Sequence, residues 1–85
     1  MSFGAIDRDD LARWLERQGF TRDVRHGQGG HQAFQRDTAA GRQRLNIPQH
    51  GPRSLNPVVL GSIVRRLKMF GFEKAEILRG VARGE

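Results

Sequence analysis

Along residues 42–47, Gln43, Leu45 and Ile47 fall on one side of an extended chain, and Arg42, Arg44 and Asn46 on the other. This period-two stretch lies between two segments of helical period, and that switch is what most restricts the fold. Upstream, Leu11, Trp14 and Leu15 recur at helical spacing; downstream, Leu60, Ile63, Val64, Leu67 and Phe70 form a longer stripe. Each helix has a single apolar stripe, so both are expected to cover the same face of one small sheet. The other face of that sheet is then left to water.

Local signals set the expected boundaries. Asp7 reads as an N-cap, with Asp9 and Asp10 placing negative charge in the first helical turn, and Gly19 ends the helix ahead of Phe20. Strands are expected over 21–25, 31–36 and 42–47, with a loop over 26–30 and a turn over 37–41. Pro48 should end the sheet, and the polar segment 49–55 reads as a loop. Asn56-Pro57 opens the second helix, with asparagine as cap and proline at the first helical position, and Gly71 closes it. Residues 73–79 can add a short helix, and the last five residues are expected to fray. The fold class is therefore α+β: α-β-β-β-α with a three-stranded antiparallel sheet and both helices on one face.

Eighty-five residues are enough for one core, so residues 1–85 are read as a single domain. There is no cysteine, no run of membrane-spanning length and no basic-then-apolar leader pattern, so a soluble, cytoplasmic protein is expected, with no membrane partner. The net charge of +6 is uneven: residues 1–20 sum to −1, residues 21–53 to +4 and residues 54–85 to +3. Positive charge on the middle and end of the chain is the footprint of a polyanion-binding surface.

A glycine-rich loop, with Gly27, Gly29 and Gly30, leads directly into His31. Glycine lets backbone approach a bulky partner closely, and imidazole is the side chain suited to proton transfer near neutral pH. His31 and Phe34 are three apart in one strand, so they face opposite sides. If Phe34, Leu45 and Ile47 point toward the helices, His31 points outward among Arg42, Arg44 and Asn46. Trp14, Phe34 and Phe70 belong to the core on the same spacing. The loop is not a nucleotide-phosphate cradle, because no lysine or Ser/Thr follows it and it opens a strand rather than a helix. His26, His31 and His50 match no compact ligand spacing, so neither a metal nor another cofactor is expected.

Taken in order, these elements resemble the HicA family of toxins from bacterial toxin–antitoxin pairs, over about residues 7–78. Leu15-Glu16-Arg17-Gln18-Gly19-Phe20 is similar to the family's first helix and its exit. Gly30-His31-Gln32-Ala33-Phe34 resembles its glycine, polar, histidine element, with Gly30 standing where a small polar residue is usual. Ile47-Pro48-Gln49-His50, the segment from Leu55-Asn56-Pro57 to Leu67, and Gly71-Phe72 resemble its later elements. The resemblance implies a double-stranded-RNA-binding-domain-like fold, cleavage of mRNA with His31 as the catalytic histidine, and a HicB-like antitoxin covering the active face.

Such cleavage needs a base for the ribose 2′-hydroxyl and cations for the phosphoryl oxygens. His31 would be the base. Gly29, Gly30, Arg42 and Arg44 would contact RNA, with Arg65, Arg66 and Lys68 of the second helix as secondary contacts, and His50 or His26 as a possible second acid or base. The free chain is expected to be a monomer. Two rival functions are a non-catalytic RNA-binding module, which Gly30 favours, and a basic protein-interaction domain.

Overall fold

The computed structural model describes residues 6–23, 31–49 and 52–84. Asp7 caps α1 (Arg8–Arg17), its carboxylate accepting the Asp9 N–H at 2.7 Å. The helix ends as its glycine predicts. Gly19 takes φ +96°, its N–H reaches the Glu16 carbonyl, and the Phe20 N–H reaches the Leu15 carbonyl. That reversal drops Phe20 into the core and starts β1 (Thr21–Asp23).

The chain then forms a meander, β1-β2-β3, with β2 (His31–Thr38) in the middle and antiparallel to both neighbours. Strands β2 and β3 (Gly41–Pro48) run longer than expected, because the turn is only Ala39-Ala40. Thr38 tightens it, accepting the Ala40 N–H and donating to the Gly41 carbonyl. Asp37 and Arg42, expected in or beside the turn, are paired ladder residues. Pro48 closes β3 from inside the ladder, opposite His31, and an edge strand tolerates the missing N–H. The expected strand residues 24–25 and the loop 26–30 lie outside the described residues.

Segment 49–55 is not an isolated loop in its described part. Leu55 N–H donates to the Ile6 carbonyl and Arg8 N–H to the Arg53 carbonyl, and Asp7 and Ser54 form a bridge. Arg53 also reaches Asp7 and Asp9, each at 3.2 Å. This tie sets the start of α2 (Pro57–Met69), capped by Asn56. Its exit repeats that of α1: Gly71 at φ +102° bonds back to Lys68, and Phe72 N–H to Leu67.

A third helix, α3 (Lys74–Arg83), is longer than the short 73–79 segment expected, and its helical residues continue to Arg83. Glu73 and Glu76 form a reciprocal capping box at its start, and Val81 is buried. Gly80 lies against the indole of Trp14, which holds the end of the helix down.

Phe34, Leu45 and Ile47 join Leu11, Trp14 and Leu15 of α1, four residues of α2 and Ile77 of α3 in one buried cluster. The period-two reading therefore assigned the inner face of the sheet correctly. One cation lies on that face. Arg36 stacks 4.9 Å from the ring centroids of both Phe20 and Phe72, and donates to Gln43 Oε1 and the Gln18 carbonyl.

Candidate nucleic-acid interface

Directly paired residues share a face, so the register lays out the outer side of the sheet row by row. His31 stands opposite Pro48. In the next row Asp23, Ala33 and Asn46 lie side by side, and then Thr21, Gln35 and Arg44. Asp37 and Arg42 complete the face. His31 is exposed and projects from this side, as strand parity requires.

The face is not flat. Alanine at position 33 leaves a low point between larger neighbours. Helix α2 borders it along β3, presenting Val58, Ser62 and Arg66, which fall in one row at i, i+4 and i+8. The result is a cavity of about 640 Å³ that His31, Arg44 and Arg66 share. Its aliphatic wall includes Val58, which is 81 % exposed and so has no packing role in the core. Asp23, a buried acidic residue, lines the same cavity.

Ion pairing separates the arginines that sequence alone leaves equivalent. Arg22 pairs with Glu16 at 3.2 Å, Arg53 with Asp7 and Asp9, and Arg36 serves the inner face. Arg42 is held by Asp37 at 2.7 Å; that contact lowers the Asp37 carboxyl below its ordinary range and raises the guanidinium further. Arg42 is thus on the expected face but largely neutralised, and it does not line the cavity. Arg44 does line it, and forms no ion pair among the described residues. Arg66 joins it from α2, its Nε donating to the Arg44 carbonyl at 3.1 Å.

Arg65 and Lys68 are exposed on α2 but lie away from the row that borders the cavity. Gly29, Gly30, His26 and His50 lie outside the described residues. Asp23, Gln35, Asn46 and Ser62 line the cavity as well, and of these only Asn46 had been placed on the outer face from sequence. Gln35 follows from the parity that places His31, being four residues along the same strand. Asp23, by contrast, needed the register and Ser62 the seat of α2, which no local signal supplies.

Among the described residues no cluster of histidine and carboxylate side chains is arranged to hold a metal ion, and no helix is long and apolar enough to cross a membrane. No protein-family model matches this chain, and no curated protein or solved structure matches it either.

Proposed function

We propose that this chain is a HicA-like endoribonuclease toxin, cytoplasmic and paired with a HicB-like antitoxin, that binds mRNA on the outer sheet face. The observation that carries the reading is the shared cavity: an exposed imidazole and two guanidinium groups from different elements open onto one hollow. The α-β-β-β-α order, here extended by α3, is the one expected of a double-stranded-RNA-binding-domain-like fold.

In the proposed reaction, the His31 imidazole accepts the proton of a ribose 2′-hydroxyl. The freed oxygen attacks the adjacent phosphorus, forming a 2′,3′-cyclic phosphate as the bond to the 5′-oxygen breaks. The leaving oxygen takes a proton from water or from a second group. Arg44 and Arg66 offset the charge that builds on the phosphoryl oxygens. An acidic antitoxin surface would complement the same cations.

The test is to express the chain and its His31→Ala variant, and to incubate each, purified, with RNA. Wild type should arrest growth and leave fragments ending in 2′,3′-cyclic phosphate; His31→Ala should do neither. Equal tolerance of both proteins, with RNA left whole, would remove the nuclease. A second reading, a binding module without turnover, is favoured by Gly30 in place of a polar neighbour to His31; it predicts RNA retardation without shortening.

A further inference from the structure

The cavity is larger and more varied than a phosphate contact needs. Two cations at a rim are sufficient to hold a backbone; they do not require a hollow of about 640 Å³ with an aliphatic wall. That volume falls within the range of sites that enclose small organic groups. Its lowest point is Ala33, with His31 two residues before it on β2 and Gln35 two residues after. Each of those steps is about 6.7 Å along the strand, so the imidazole and the amide stand at opposite ends of the hollow.

Gln35 is the unexplained group. Its side-chain oxygen is buried and accepts no hydrogen bond from any described residue, an arrangement native structures avoid unless something else supplies the donor. The terminal torsion of glutamine is broad, so a turn of the amide carries this oxygen from its buried position to the cavity that the residue lines. Asn46 supplies a second amide beside Ala33, on the strand next to α2. Paired amides over a small residue, facing an aliphatic wall, match a flat heterocycle with donors and acceptors on its edge. Nucleobases are recognised in this way once they leave a stack.

We propose that the hollow over Ala33 is a nucleobase subsite, in which Gln35 and Asn46 read the edge of one unpaired base of the bound RNA. The inference rests on the RNA reading above and adds a part to it. The base lies on Ala33 against Val58 and Val59. Its edge meets the two amides, and its backbone runs past Arg44 and Arg66 with the ribose toward His31. A base in a duplex has both faces stacked and its pairing edge occupied, so the subsite favours single strands over the double helix that the fold class would suggest.

The experiment uses the full chain and single strands with 2′-fluoro sugars, which lack the attacking hydroxyl and cannot be cleaved by this route. Strands of A, of C and of U are compared with a strand of the same length that carries no bases, and with a duplex. Base-bearing strands should bind at least about tenfold more tightly than the base-free strand, a factor in the range of one base contact. Asn46→Ala and Gln35→Ala should alter the ratios among A, C and U while leaving the dependence of affinity on salt unchanged. Ala33→Leu, which fills the hollow, should erase the advantage of base-bearing strands; Asn46→Ala, at an exposed position, tests the subsite even if that variant folds poorly. Equal affinity for base-free and base-bearing strands would overturn the subsite and leave RNA binding standing, as would unchanged ratios in both amide variants. If no strand binds, the RNA reading falls along with it.

Discussion

The Nε of Arg66 donates to the backbone carbonyl of Arg44 at 3.1 Å. Strand β3 is an edge, and this bond takes up one of its outward carbonyls while fixing α2 beside it. Two guanidinium groups that are far apart in sequence therefore stand together at one rim. Arg44→Ala and Arg66→Ala should each weaken RNA binding for every sequence, and each should reduce the slope of log affinity against log salt by about one. Arg65→Ala and Lys68→Ala, off the cavity, should change the slope less, as read by anisotropy titrations across a salt series.

Gly80 offers a test of the α3 packing in which two effects compete. Alanine in place of glycine in a helix normally stabilises by about 0.5–1 kcal/mol. At Gly80 a Cβ would overlap the Trp14 Nε1 and stand 2.6 Å from its Cδ1. Overpacking of that kind costs about 1–3 kcal/mol, so Gly80→Ala should lower the urea midpoint. Gly61, in α2, has nothing within 4 Å of the same position. Gly61→Ala should raise the midpoint instead, which makes it the internal control.

Arg36 is a cation committed to packing. Removing it leaves Gln43 Oε1 without its donor and uncovers two aromatic faces. Arg36→Ala should cost about 2–3 kcal/mol in equilibrium unfolding. Its effect on the salt slope of RNA binding should be small, because the side chain lies on the other face from Arg44.

Acid should destabilise the fold through its depressed carboxyls. Asp7 lies below its ordinary value of 3.8, first because of the Asp9 N–H and then through the charge of Arg53; Asp37 is lowered by Arg42. A carboxyl lowered in the folded state adds stability that is complete above its unfolded value, and this is lost as pH falls through the folded one. Melting temperature should therefore drop below about pH 4. Asp7→Asn keeps an oxygen for the Asp9 N–H but does not titrate, so its acid limb should be flatter than that of wild type.

The sequence made the face of His31 legible because that deduction needs only the three-residue offset from Phe34. The helix caps were legible too, since Asp7, Gly19, Asn56 and Gly71 act on their own neighbours. The hairpin was harder: Asp37 and Gly41 are turn-forming types, yet ladder pairing out to Thr38–Gly41 outweighs that preference. The end of α3 was misread because Gly80 lies against Trp14, more than sixty residues away, and Val81 joins the common core, neither of which periodicity can reveal. Within the site, Arg44 was placed correctly. Its distinction from Arg42 was not, because the neutralising Asp37 becomes a neighbour only once the register is known. Arg65, Arg66 and Lys68 form one cluster in sequence, and only the position of α2 along β3 divides them.

Gly19-Phe20 and Gly71-Phe72 end two different helices, and their rings close on the same guanidinium of the central strand. The two exits are thereby latched to each other through Arg36, so neither connection can change length without opening the latch. The hairpin tip at Ala39-Ala40 has no such obligation, and it lies about 25 Å along the strand from His31. Among the described connections, evolutionary insertions and engineered tags have their freest berth at that pole.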